Sequence, residues 1–405
     1  MRNDPLERAL REAPIPASAE AERRGLAVVE AAYGELATGR GEVGGRRPSL
    51  PRLALALGIV TLLAAVLLSP AGAAVRDWVG DVVATSAPRP EPGLAEIPGG
   101  GRLLVQSAAG PWVVQADGSR RLLGDYGEAT WSPRGLYVAA AEGRSLSALE
   151  PDGTPHWSIT APGRVRDPRW SPSRYRIAYR SGDELRVVAA DGSGDELLDD
   201  GLAPVAPAWS PLGAPEVAYL DVTGLLLIAD SESGGRLASA PAGTDVRQLE
   251  WGANGAAILE VSPESLRLQE VRPLKVAARP GIEFLRELPL PPGTTVVDAA
   301  LAPQRRLVAA VLTDWRKSGT RSSVVLFGAQ GKEPRRLLSV PGSLGEVTWS
   351  PDGKRLLVAW PGADQWLFLP VGRGAARAIA RISSVFAPGG RAASFPRVEG
   401  WCCRR

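Results

Sequence analysis

The chain has 405 residues, with 47 Lys plus Arg against 44 Asp plus Glu, a net charge of only +3. A near-balanced charge without a Lys/Arg run interleaved with aromatics argues against nucleic-acid binding. One His and two Cys among 405 residues exclude His-rich metal centres and Cys-x-x-Cys zinc sites, and leave His156 as the sole base for a Ser-His-Asp arrangement; no metal or cofactor is expected.

Residues 1–52 are rich in Arg, Glu and Ala, and Ser18 is placed to cap a helix running to about Ala37. Leu26, Val29, Tyr33 and Leu36 would form its apolar stripe, facing either a cytosolic partner or, as a frayed tail, water. Leu53 to Val75 then runs without a charge. At ~1.5 Å per residue such a helix spans about 34 Å, enough for a bilayer core of ~30 Å. Arg40, Arg46, Arg47 and Arg52 precede it against Glu42 alone, so the positive-inside rule expects a cytoplasmic N-terminus. The long leader favours an uncleaved single-pass plasma-membrane anchor over a cleaved signal, despite the cleavage-like Ala71-Gly72-Ala73. Residues 76–101 read as a juxtamembrane segment and a stiff linker built on Pro88, Pro90, Pro92, Pro98 and Gly99 to Gly101.

From Arg102 to the C-terminus (residues 102–405) short apolar runs alternate with turn signals, and one mark recurs. Trp131-Ser132-Pro133, Trp170-Ser171-Pro172, Trp209-Ser210-Pro211 and Trp349-Ser350-Pro351-Asp352-Gly353-Lys354 are full copies; Trp251-Gly252-Ala253, Leu301-Ala302-Pro303 and Phe386-Ala387-Pro388 are degenerate ones. Pro suits the second position of a type I turn, and a following Gly accepts positive φ. The Trp ends an inner strand and wedges against the neighbouring sheet. Spacings of 39, 39, 42, 50, 48 and 37 predict an all-β propeller of four-stranded blades. Second strands are expected at Tyr137–Ala141, Arg176–Arg180, Glu216–Leu220, Leu307–Thr313 and Arg355–Trp360. Asp117-Gly118, Asp152-Gly153 and Asp191-Gly192 supply hairpins further out. Ser383–Phe386 is expected as a late inner strand, with Arg391–Phe395 after it, completing the sheet begun at Arg102. That gives seven blades, with six or eight as alternatives.

The repeat Trp-Ser-Pro-Asp-Gly-Lys, followed by a short apolar strand and an Asp-Gly hairpin, resembles the WD-repeat-like propeller repeat of TolB-type proteins over residues 102–395. The resemblance implies an extracytoplasmic protein-interaction platform whose channel mouth receives a peptide. Two departures stand out: no α/β domain precedes the propeller, and an apolar anchor does. The layout also resembles membrane-bound anti-sigma regulators, although residues 1–52 lack the His and Cys of the zinc-type motif.

Single residues add little chemistry. His156 falls on an outer strand, far from any nucleophile expected, and no Gly-x-Ser-x-Gly elbow exists. Asp191-Gly192-Ser193-Gly194-Asp195-Glu196 resembles a calcium loop faintly, but Glu196 occupies the place of the required Gly, which favours an acidic hairpin turn. Cys402 and Cys403 are adjacent and admit a ring disulfide, pairing with another chain, or inert thiols. Of the twelve Trp, five occupy the mark; Trp112, Trp315, Trp360, Trp366 and Trp401 remain uncommitted, with packing between blades as the default for each, and Trp315, in Asp314 to Gly319 read as a polar loop interrupting two strands, is a candidate contact residue. No paired carboxylates are expected near the inner strands. The composite expectation is a non-catalytic, membrane-anchored, extracytoplasmic platform for a protein or peptide. A transmembrane regulator coupling ligand binding to the tail is the alternative, and an Asp/Glu-dependent carbohydrate-active enzyme a second one.

Overall fold

The computed structural model describes residues 88 and 90–403, apart from 174, 254, 273–280, 304–306, 317–318, 329–333 and 388–393. The tail helix expected over 18–37, the apolar segment 53–75 and the juxtamembrane residues lie outside the described residues. Among the described residues no helix is long and apolar enough to cross a membrane.

Among the described residues seven sheets are built on four antiparallel strands each, one of them extended by a fifth, parallel strand. The tryptophan mark shows how each is built. In Ser350-Pro351-Asp352-Gly353 the Gly353 amide donates to the Ser350 carbonyl at 2.8 Å, and Gly353 takes φ 64°. The Ser350 hydroxyl accepts the Arg355 amide at 2.9 Å, so the serine caps the turn its own proline bends. Ser132 does the same for Tyr137 at 2.9 Å. Each mark therefore closes an inner strand and opens the second: Glu128–Trp131 into Val138–Glu142, Val165–Trp170 into Arg176–Ser181, Ala208–Trp209 into Glu216–Leu220. Gln248–Trp251 likewise leads into Ala257–Val261, Thr294–Leu301 into Leu307–Arg316, and Val347–Trp349 into Arg355–Trp360. We number these sheets blades 2 to 7.

Blade 1 is assembled from both ends of the described chain. Arg102–Ser107, Gly110–Val114 and Arg120–Leu122 supply its outer three strands, and Arg397–Cys402 is the innermost, pairing antiparallel with Arg102–Ser107. This corrects the expected ending. Ile382–Val385 is a short helix, not an inner strand, and it is pinned where the Ser383 amide and hydroxyl both donate to Asp364 Oδ1 at 2.7 Å. Ser394 and Phe395 belong to no strand, and 391–393 lie outside the described residues. The seventh mark is Trp401, which pairs with Leu103 as Trp131 pairs with Val138 and Trp349 with Leu356. Phe386 imitates the mark but sits in the core, edge-on to Trp112 at 5.8 Å and tilted on Trp366 at 5.4 Å.

The indoles join neighbouring blades. Trp209 Nε1 donates to the Arg169 carbonyl at 2.8 Å, and Trp349 Nε1 to the Ala300 carbonyl at 2.9 Å, each reaching the inner strand of the blade before. Apolar clusters fill the interfaces in the same sense; one joins Leu259 and Leu268 of blade 5 to Val308 and Leu312 of blade 6. The inner strands touch in turn around a closed ring, Arg397–Cys402 meeting both Val347–Trp349 and Glu128–Trp131. A closed ring leaves the inner edge strands short and turned toward the channel, protected from extension by another chain.

The segment expected as a spacer is partly docked. Pro90–Pro92 runs parallel to Arg377–Ala380 as a fifth strand of blade 7, and Leu94 and Ile97 are buried against Trp366 and Trp401. Arg377 also pairs with Glu91 and Glu96 at 2.6 Å. These pairs are largely solvated, and apolar burial does more to hold the segment.

Candidate interaction surface

Two places gather polar side chains that the fold holds in fixed positions: the channel wall and the upper part of blade 6. The channel is bounded by the seven inner strands, and six of the seven have a carboxylate one to three residues ahead of the mark, on the strand or, for Glu346, just before it: Glu128, Asp167, Glu250, Asp298, Glu346 and Glu399. This corrects the expectation of no paired carboxylates near the inner strands, since Glu128 acts on Asp167 and Glu346 on Asp298. Glu128 accepts the Asp167 amide at 2.6 Å and Arg166 Nη1 at 2.7 Å. Glu250 accepts the Leu301 amide and Asp298 the Val347 amide, both at 2.7 Å. Each of these three carboxylates thus ties its blade to the next.

Enclosure raises the proton affinity of Glu250, Asp298, Asp167 and Glu399. Burial pushes Glu250 up to about 8, against the opposing Leu301 N–H. Burial likewise carries Asp298 to about 7, the Val347 N–H opposing it and Glu346 adding to it. Asp167 is raised by burial and then by Glu128, and Glu399 by burial, with Arg397 opposing. Carboxyls near neutrality mark acid–base sites in many enzymes. Here one oxygen of each of Glu128, Glu250 and Asp298 accepts a backbone amide of the next blade, so they act as joints of the ring.

Blade 6 is taller than its neighbours. Its central hairpin, Leu307–Arg316 and Gly319–Gly328, has ten-residue strands where most others have five or six. The strands continue through Asp314 and Trp315, which were expected to form a loop. Trp315 pairs with Thr320 and leaves 70 % of its surface exposed. It stands at the end of the disc opposite the Ser-Pro turns, since its strand starts after Leu301-Ala302-Pro303, the blade 6 counterpart of those turns, and runs away from it. Asp314 faces Arg321 across the hairpin, and Leu312 faces Ser323, so these four share the face opposite Trp315. That face overlooks a cleft of about 240 Å3, walled also by Pro291, Pro292, Arg336 and Ser339. Its rim is fixed: Arg321 Nη1 reaches Ser339 Oγ at 3.4 Å, and Thr294 Oγ1 donates to the Pro291 carbonyl at 2.7 Å. The volume suits one or two side chains of a peptide, below the range typical of small-molecule sites.

The remaining sequence candidates are structural. His156 lies exposed on outer strand Pro155–Thr160 against the Tyr137 ring, centroids 5.0 Å apart. In the Asp191 turn, Asp191 Oδ1 accepts the Ser193 amide and hydroxyl, while Asp195 accepts from Tyr179 Oη at 2.6 Å and from Arg186. Trp112 and Trp366 pack in the cluster between blades 7 and 1. Cys402 and Cys403 are joined to each other.

Sheet number, closure and the recurring mark define a seven-bladed β-propeller. Solved propellers share the fold: the β-propeller domain of Myceliophteria thermophila Cps50 (Swd1) superimposes with a TM-score of 0.54 at 14% identity, covering 68% of this chain and 98% of that one. Kluyveromyces lactis Hsv2 gives 0.51 at 13% identity, covering 69% and 93%. A chain of the Mitotic Checkpoint Complex gives 0.50 at 14% identity, covering 69% and 90%. No family profile and no curated protein matches the chain.

Proposed function

We propose that this chain is a single-pass, membrane-anchored platform whose extracytoplasmic propeller binds a protein or peptide through the blade 6 hairpin and its cleft. The observation that carries the binding reading is Trp315, 70 % exposed on the longest hairpin of the described chain. An exposed indole on a rigid strand loses little conformational entropy on binding and gains a large contact area. The neighbouring cleft offers Arg321 and Asp314 beside Pro291 and Pro292, a mixture that fits an extended peptide. The mitotic checkpoint chain is a propeller within a multiprotein assembly, and the same use is proposed here. Anchoring rests on the uncharged run Leu53 to Val75 and the arginines ahead of it. The TolB-type repeat and the extracytoplasmic placement belong to the same proposal.

A photoreactive residue in place of Trp315, in the full chain expressed in its membrane, tests the binding surface. A discrete crosslinked protein whose yield falls on Arg321→Glu is expected. Equal yields from exposed Leu212, on a Ser-Pro turn at the other end of the disc, would overturn the assignment. Protease added to intact cells tests the topology: the propeller should be cleaved from outside, and full protection would refute the placement.

A further inference from the structure

The Cys402–Cys403 pair occupies a place where the other repeats carry a turn. Four marks have Ser after the Trp, and Ser132 and Ser350 cap the turn that follows. Trp401 needs no such turn, because the strand paired to it, Arg102–Ser107, is supplied by the other end of the described chain. The sulfurs lie instead against Gly135 of blade 2. A Cβ there would come within 2.4 Å of Cys403 Sγ and 2.7 Å of Cys402 Sγ, so only glycine leaves room for the pair. Arg102 completes the pocket: its Nη2 donates to the Gly135 carbonyl at 2.7 Å and reaches Cys403 Sγ at 3.6 Å, with the guanidinium 5.0 Å from the Trp131 ring centroid. Cys402 is buried and Cys403 half-exposed.

A disulfide stabilises a fold chiefly in proportion to the chain it encloses, and a bond between neighbours encloses none. The closing strand is already held by its pairing with Arg102–Ser107 and by the buried Trp401. What the pocket provides is chemistry: a reachable sulfur beside a fixed cation, the setting that stabilises a thiolate. We propose that Cys402–Cys403 is a redox-active pair that exchanges electrons with dithiols, not a structural cross-link. A thiolate of the dithiol attacks Cys403 Sγ, the bond between the two cysteines breaks, and Cys402 leaves as a thiolate that takes a proton from water. The second thiol of the reductant then gives up its proton and attacks its own sulfur in the mixed disulfide, releasing Cys403 beside Arg102. The dithiol becomes a disulfide and the pair gains two electrons; run backwards, the pair oxidises a partner's dithiol. This goes beyond the binding reading and stands independently of it.

The test equilibrates the detergent-solubilised full chain with glutathione buffers and dithiothreitol, followed by thiol alkylation and intact mass. The pair should interconvert completely in the folded protein, its melting temperature unchanged within about 2 °C between the two states. Cys402→Ser, equilibrated with oxidised glutathione, should gain one glutathione as a mixed disulfide on Cys403, the second glutathione leaving as its thiolate. In Arg102→Gln, whose amide can still donate to Gly135, the pH midpoint for alkylating the reduced pair should rise by about one unit. A pair that resists reduction until the chain unfolds would overturn the proposal. So would a Cys402→Ser chain that forms no adduct, or a reduced pair whose alkylation ignores Arg102.

Discussion

Replacing Trp401 by Ala probes the way the ring is shut. Its side chain is 8 % exposed, meets Phe368 edge-on at 5.7 Å, and donates from Nε1 to the Gly100 carbonyl at 2.8 Å. Losing a buried indole costs about 3–5 kcal/mol through lost transfer energy and the cavity left behind. The Gly100 hydrogen bond adds about 1 kcal/mol at most, since a water can take the indole's place, so packing dominates. Urea unfolding followed by circular dichroism should shift to lower midpoint by roughly 1–2 M for slopes near 3 kcal/mol/M. Trp349→Ala, at the equivalent place in blade 7, should cost the same within about 1 kcal/mol, and exposed Trp315→Ala under about 0.5 kcal/mol. A Trp401→Ala loss as small as that of Trp315→Ala would refute the claim that Trp401 is a seventh mark wedged into the ring.

Other outcomes follow from the joints and turns. Burial holds the Glu250 proton on to about pH 8 in the folded chain, whereas the unfolded side chain releases it near its ordinary 4.5. This carboxyl therefore stabilises the fold fully below about pH 4.5 and loses that contribution as pH rises through 8, by on the order of 5 kcal/mol at most. Glu250→Gln, which keeps an oxygen for the Leu301 amide, should flatten stability between pH 5 and pH 8 in denaturant titrations; an unchanged slope would contradict the assignment. Glu128→Ala leaves the Asp167 amide without its acceptor and should cost about 1–3 kcal/mol by the same measurement. Gly110→Ala puts a Cβ 1.9 Å from the Gly124 carbonyl oxygen at φ 112°, and should yield a chain that melts well below wild type or does not fold.

Much of the architecture is written in the repeat. Trp before Ser-Pro ends an inner strand wherever it occurs, because the proline bends the chain and the indole reaches the blade before. Glu216–Leu220 and Arg355–Trp360 fall where the pattern puts them. The last mark was missed because Trp401 is followed by Cys-Cys: no turn is needed where the next strand comes from the far end. Phe386-Ala387-Pro388 carries the local signature without the pairing, and only register tells the two apart. The channel carboxylates escaped notice for a similar reason. Each is a single acidic residue within three places of its mark, and its meaning appears only when the next blade's amide arrives beside it. Trp315 was legible only as a candidate contact aromatic against a default of packing between blades, and neither its exposure nor the length of its hairpin could be read. Strand pairing through Asp314 and Trp315 is a tertiary fact that a polar stretch conceals.

Hydrogen exchange of the folded chain tests ring closure most directly. Amides of Arg397–Cys402 that bond to Arg102–Ser107 should exchange in the slowest class, at the rate of global opening and together with their partners. Exchange of Arg397–Cys402 within seconds, as in a fraying terminus, while blades 2 to 7 stay protected, would contradict a ring closed by that strand.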